Sequence, residues 1–391
     1  MTFEVFLCYG YHIAYNFTTA NSMHTTTGPM SMTHLRNLSL DELRDFVRAH
    51  GEPEFRYRQL ATWMYARLEH RFAEMSDLPI SYREQLAGCA EVSSLAVASE
   101  QRSAVDGTRK FLFELRDGAR VESVLMRYDR RTTVCVSSQV GCPLDCVFCE
   151  TAKGTFRRNL SAGEILDQIC ALKAEAGEHG QKINVVFMGM GEPLLNLESL
   201  IAAIRVMNDP LGLNLGDRRI TVSTASFPER IRELADADVA CSLALSLNAP
   251  NDARRRELMP KASRFSIAEL LDAARYFVRH GRNRRVTLEY VLIPEMNMSD
   301  ADADELGALS HRQPFKLNLI PYNPGRKDPF ARPTEAQIDR FVSRLLPVAP
   351  AVTVRRSRGV DIDAACGQLW NLSLGEKKPV KGVARFNRGG E

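Results

Sequence analysis

Six strand-like apolar runs, at 132–137, 183–188, 219–223, 242–247, 286–293 and 316–320, recur along the chain, and each is followed by a helical stretch. Three of those helices open on capping boxes, Ser161 with Glu164, Ser266 with Glu269 and Thr334 with Gln337, a pattern that satisfies free N–H groups at a helix start. Consecutive strand–helix units demand parallel strands joined by right-handed crossovers, which leaves an α/β fold of two kinds: a doubly wound sheet or a partial barrel. In both, ligands gather at the C-terminal ends of the strands.

With 391 residues the chain has room for this domain, placed at 128–369, and a smaller one. A helical module is expected over 34–95, starting at the capping box Ser39-Leu-Asp-Glu42 and continuing through 55–68 and 82–86. The Asp-Gly pairs 106–107 and 117–118 bracket an alternating run and predict a β-hairpin linker at 96–127. Residues 1–33 lack periodicity and read as a disordered leader or a start assigned too early. No run reaches the roughly 18 apolar residues of a spanning helix, and the first 35 residues hold neither Lys nor Arg, so no signal or transit peptide is expected and the cytoplasm is the expected compartment. Nine cysteines, an odd number, suit thiols that bind metal or react in a reducing compartment. The net charge of +3 equals the excess in the basic tail 370–391 alone. Arginines cluster at 157–158, 254–256, 279–285 and 355–358, a distribution suited to local phosphate contacts as well as to solvated faces.

The loop after the first run carries Cys142, Cys146 and Cys149, spaced C-x3-C-x2-C. A structural zinc would want a fourth Cys or His nearby, and none follows within 20 residues. A redox pair would employ Cys146 and Cys149 but leave Cys142 idle. A [4Fe–4S] cube held at three corners employs all three thiolates and leaves one iron open to a ligand.

That spacing, with Phe148 before the third cysteine, resembles the radical S-adenosylmethionine superfamily. The resemblance implies a partial (β/α)6 barrel with a small N-terminal helical domain, and S-adenosylmethionine as the open iron's ligand. It also implies that an electron from the cluster cleaves the sulfonium to a 5′-deoxyadenosyl radical. Met188-Gly-Met-Gly-Glu-Pro193 lacks the third glycine of a dinucleotide fingerprint; backbone opened at Gly191 beside Glu192 suits the methionine ammonium instead. Ser223, Ser246, Leu247, Asn248 and Asn323 end further strands and complete the expected cofactor set, although each alone also fits a turn or cap.

Cys135-Val-Ser-Ser-Gln-Val-Gly-Cys142, Met188-Gly-Met-Gly-Glu-Pro-Leu-Leu-Asn196, Asp361-Ile-Asp-Ala-Ala-Cys366 and Glu122 narrow the likeness to the RlmN family of bacterial RNA methyltransferases, over about 38–369. Asn248 departs from it, since many relatives have histidine there. The family's chemistry implies methylation of adenine C2 in 23S rRNA and tRNA, two S-adenosylmethionines per turnover, and a methyl group carried on Cys366. In that scheme Glu122 accepts the C2 proton, and Cys135 releases the product by forming a transient disulfide. An electron donor such as flavodoxin, a monomeric state and no membrane partner complete the expectation. The alternatives are C8 methylation of the same rRNA adenosine, or a non-catalytic iron–sulfur or zinc RNA-binding module.

Overall fold

The computed structural model describes residues 32–369, apart from 130, 178–182, 282–284, 312, 326–328 and 350; the leader through residue 31 and the basic tail lie outside the described residues. One sheet organises the chain. Its strands are β1 Ala96–Arg102, β2 Arg109–Glu114, β3 Arg120–Tyr128, β4 Arg131–Cys135, β5 Asn184–Phe187, β6 Ile220–Thr224, β7 Ser242–Ser246, β8 Val286–Leu292, β9 Lys316–Pro321 and β10 Val352–Val354. All ten lie side by side in the order of the sequence. From β4 to β10 every pairing is parallel, and from β1 to β4 every pairing is antiparallel.

That order decides between the two folds. A doubly wound sheet reverses direction at a switch point; here each crossover advances the same way, as in a barrel that stays open. Six crossover helices follow β4 to β9: Ala162–Glu175, Leu197–Asn208, Pro228–Asp236, Ile267–His280, Asp300–Ser310 and Glu335–Leu345. All four anticipated capping boxes form, Ser39 with Glu42 included, and these helices add a fifth at Ser299 and Asp302.

Two strands have no counterpart among the anticipated runs. All seven residues of β1 are exposed, so no apolar alternation marks it. In β10, at the opposite edge, Val352 and Val354 are only partly buried and Thr353 is exposed. The 96–127 stretch therefore supplies three strands that extend the main sheet through the β3–β4 pairing. Among the described residues no helix is long and apolar enough to cross a membrane.

The N-terminal helices are Leu40–Ala49, Arg56–Ala61, which runs on into a π-helical turn at Thr62–Ala66, and Ile80–Cys89. Arg36, 3% exposed, fastens them to the barrel. It donates 2.8 Å to Asp167 on the first crossover helix and 3.0 Å to Met64 O in the module. His34 Nε2 lies 3.1 Å from the other Asp167 oxygen, and Gly163 N donates to Asn37 Oδ1 at 2.7 Å. Burial pushes the Asp167 carboxyl up, yet His34 and Arg36 outweigh it and hold it below the ordinary range. Asp167→Ala should cost about 3–5 kcal/mol, because it strands a buried guanidinium; urea unfolding would show it, and a change below about 1 kcal/mol would contradict the tie.

Candidate active site

At the C-terminal ends of the parallel strands a cleft of roughly 940 Å³, open solvent at its mouth included, is lined by all three motif cysteines. Their loop needs a glycine at its start: Gly141 has φ +80°, and a Cβ there would sit 2.3 Å from Thr155 O. The loop is pinned from outside by Val147 N donating to Leu258 O at 3.0 Å and Lys261 N donating to Asp145 Oδ1 at 2.8 Å. It rests on a small apolar cluster of Leu144, Ala225, Leu258, Met259 and Tyr322.

The donor set fits an iron–sulfur cube. Cys142, Cys146 and Cys149 share one loop and one wall of the cleft. Among the described residues no three Cys, His, Asp or Glu side chains converge as a single ion would require, whereas a cube takes one sulfur at each separate corner. Burial pushes the Cys146 and Cys149 thiols up, so their ionisation is coupled to metal binding. Fully buried Arg255 supplies compensating charge. It donates to Ala225 O, and its Nε is buried with no acceptor among the described residues. Burial lowers its guanidinium to about 10, against the opposing pull of Cys146, Asp252 and Glu192.

The opposite wall is built by β5 to β9. Gly191, at φ +104°, leaves no room for a side chain: a Cβ would meet Gln139 at 2.6 Å. Gln139 Oε1 in turn accepts from Glu192 N at 2.8 Å. The Glu192 carboxylate accepts from Ala225 N at 2.8 Å and Leu194 N at 3.1 Å. Burial nevertheless pushes it up to about 7. Ser223 and Ser246 face each other at 3.4 Å, and Ser223 Oγ lies 3.4 Å from Glu289 Oε2.

Asn323 joins this wall, held by Arg332 at 2.8 Å and Ser357 at 2.7 Å. Asn248 lines it too, but its Oδ1 accepts from Val291 N at 3.0 Å and its backbone sits at φ +57°, a conformation that asparagine tolerates well. Its side chain is thus spent on the chain itself. Leu247 does not line the cleft; its side chain belongs to the main core.

Cys366 is the hinge of the arrangement. It lines this cleft and also a smaller adjoining pocket that contains Cys135, Met126, Tyr128 and Arg355. Both cysteines are free thiols. Burial, then the neighbouring Cys366 sulfur, push the Cys135 thiol up to about 12. Arg355 is held protonated by Cys366 despite its own burial, with help from Glu289 and Cys135.

Glu122 lies outside both cavity linings, but strand register puts it on their side. Lys110 pairs with Val124, and Val124 with Cys135, so Lys110, Glu122 and Cys135 share one face of the sheet. Ser123, on the other face, bonds Gln168 of the first crossover helix at 2.8 Å.

Four members of the site escaped the sequence reading: Lys110, Arg255, Glu289 and Arg355. A charged residue inside an otherwise apolar strand was the available signal for Glu289; Lys110, in a strand that also carries Arg109 and Glu114, gave none. Arg255 and Arg355 sat within arginine clusters ascribed to the surface.

Comparison with known proteins gives a consistent picture. The family model described as "Radical SAM superfamily" matches residues 136–306, and that described as "Ribosomal RNA large subunit methyltransferase N-terminal domain" matches 33–92. A "probable dual-specificity RNA methyltransferase RlmN" of Symbiobacterium thermophilum is 43% identical over 343 residues, 86% of this chain and 91% of the relative. The "dual-specificity RNA methyltransferase RlmN" of Geobacter sulfurreducens is 44% identical over 341 residues, 87% and 92% of the two chains. Among solved structures, a radical SAM methyltransferase from Sphaerobacter thermophilus superposes with a TM-score of 0.83 at 43% identity, covering 86% of this chain and 99% of that one.

Proposed function

The chain belongs to the RlmN family of dual-specificity RNA methyltransferases, and from that premise we propose that its cleft methylates C2 of adenine in 23S rRNA and tRNA through a methyl group carried on Cys366. One observation supports the route above others: Cys366 lies at the junction of the cluster-bearing cleft and the pocket of Cys135. C2 of adenine lies between two ring nitrogens and is too electron-poor to attack a sulfonium methyl, so a carbon radical must be brought to it. Bound at Cys142, Cys146 and Cys149, a reduced [4Fe–4S] cluster supplies the electron that cleaves S-adenosylmethionine.

The protein's own groups do the rest. Ionised Cys366 takes the methyl of a first S-adenosylmethionine by displacement. Glu192, beside the backbone opened at Gly191, accepts the ammonium of a second, and Ser223, Ser246, Asn323 and the 247–248 backbone surround it. The Cys366 methyl group gives one hydrogen atom to the 5′-deoxyadenosyl radical, the resulting carbon radical adds to C2, and the odd electron of the adduct returns to the cluster that supplied it. Glu122 takes the C2 proton, and Cys135 attacks the Cys366 sulfur; the C–S bond breaks with its electron pair going to the base, whose CH2 carbon takes a proton from water to become the methyl group, and a disulfide is left for a cellular reductant. The 34–95 module and exposed members of the arginine clusters grip RNA, and the target base must leave its stack to reach Cys366. A flavodoxin-type donor, a monomeric state and a cytoplasmic location fit this work.

Because an ammonium is held by a carboxylate and the Glu192 carboxyl sits at about 7, S-adenosylmethionine binding should weaken as pH falls below 7, approaching tenfold per unit. Anaerobic binding to the cluster-loaded protein would show it; Glu192→Gln should bind weakly at every pH, and a flat wild-type profile would contradict the role.

Mass spectrometry of nucleosides from rRNA and tRNA incubated with the enzyme, electron donor and S-adenosylmethionine tests the function. 2-Methyladenosine is expected. 8-Methyladenosine instead would mean the C8 chemistry, and unmodified RNA a binding module; either overturns the proposal.

A further inference from the structure

Lys110 and Glu122 are an ion pair inside the sheet, with Nζ 3.2 Å from Oε1 and side chains 8% and 6% exposed. A buried pair of this kind adds little net stability over apolar packing, so its use lies in what it holds. The same ammonium donates to Asp363 O at 3.2 Å, three residues before Cys366 and at φ +52°.

The loop around Asp363 is fastened to the β1–β2 turn by Gly359 N donating to Asp106 Oδ2 at 2.9 Å and Ala104 N donating to Asp361 Oδ2 at 3.0 Å. On the other side, the Glu122 backbone is fixed by Ser137 Oγ donating to its carbonyl at 2.7 Å. Lys110 is thus a single charge that joins the strand of Glu122 to the loop of Cys366.

We infer that Lys110 is a positioning residue for the release of methylated RNA: its ion pair holds the Glu122 carboxylate and aims it at the base held on Cys366. The inference rests on the reading of Glu122 as the C2 proton acceptor. In that step the C2–H bond breaks, its electron pair stays in the purine ring, and the proton forms an O–H bond on Glu122. Lys110 itself gives up no proton. Without the ammonium, the carboxyl would lose an ion-pair partner in a buried setting and the tie that sets its distance from the Cys366 loop. The antiparallel extension of the sheet gains a purpose from this, since β2 brings Lys110 and β3 brings Glu122.

The test compares Lys110→Met, Lys110→Arg, Glu122→Gln and the Lys110→Met/Glu122→Gln double variant, each as cluster-loaded protein in single turnover with an RNA substrate. Released 2-methyladenosine, the protein–RNA crosslink, Cys366 methylation and cluster absorbance are read together. Lys110→Met should keep the absorbance and the methyl on Cys366, lose about 100-fold in product release, the low end of what a general base contributes, and accumulate crosslink. Lys110→Arg should recover most of the loss, and the double variant should be no slower than Glu122→Gln, since groups acting as one unit are not additive.

Wild-type release by Lys110→Met would overturn the inference, as would a double variant slowed by the product of the two single effects, or an arginine that rescues nothing. Loss of cluster or Cys366 methylation in both Lys110 variants would also overturn it, by making the lysine merely structural. Normal release by Glu122→Gln would instead remove the premise about Glu122.

Discussion

Cys135→Ala should convert a turning-over enzyme into one that stops after a single event, with RNA covalently bound to Cys366. The expectation follows from where the two sulfurs sit. Cys366 lines the cleft, whereas Cys135 lines the adjoining pocket and not the cleft, so removing Cys135 leaves the cluster cysteines and the wall of Glu192 in place. Methyl loading and addition to C2 should proceed, and the adduct should then have no thiol to cleave it. Turnover should fall by at least about 1,000-fold, a barrier increase of about 4 kcal/mol.

The pH dependence of release carries a further signature. Only a thiolate attacks sulfur, and burial together with the Cys366 sulfur holds the Cys135 thiol at about 12 in the resting protein. Its ionised fraction therefore rises with pH throughout the physiological range. Resolution of the wild-type adduct should quicken as pH rises, at up to about tenfold per unit, with Arg355 the opposing charge that helps the thiolate. Denaturing gels of radiolabelled RNA after quenching at several pH values would show both effects. Steady wild-type turnover by Cys135→Ala would remove Cys135 from the mechanism.

Alanine at Cys142, Cys146 or Cys149 should abolish activity outright. Each of these thiols faces the cleft, and a cube held at two corners has neither the stability nor the single open position that S-adenosylmethionine needs. The brown absorbance should disappear, with no 5′-deoxyadenosine, no crosslink and no methylated RNA. The control is a more deeply buried cysteine with no such place: Cys241 lies in the main core, and burial alone pushes its thiol up to about 12. Cys241→Ala should keep absorbance and activity and lose only the stability of a small buried side chain. A cluster-cysteine variant that kept its colour and cleaved S-adenosylmethionine would refute the ligand assignment.

What was legible in the sequence divides along physical lines. The six crossover units declared themselves because parallel strands covered by helices are continuous apolar runs, as in the buried centre of β7, and because capping boxes mark helix starts locally. The cysteine loop was legible for a similar reason, since its ligands lie within eight residues. Members of the site that depend on distant pairing were silent. Lys110 and Glu122 stand 12 positions apart on neighbouring strands, and nothing local says that their side chains meet. Arg255 and Arg355 resembled solvated cations until the fold enclosed them. The edge strands β1 and β10 carry too little buried surface to imprint a period. Resemblance to a family supplied the roles of Cys135 and Cys366; no spacing could have, with 230 residues between them.

The transferred carbon must pass through Cys366 and lose a hydrogen there. Enzyme first loaded with, and then supplied with, S-adenosylmethionine bearing a trideuterated methyl group should yield 2-methyladenosine whose new methyl retains two deuterium atoms. The third should appear in 5′-deoxyadenosine. A product methyl that keeps all three deuterium atoms would contradict the account, because it would have arrived intact, without hydrogen abstraction on the protein.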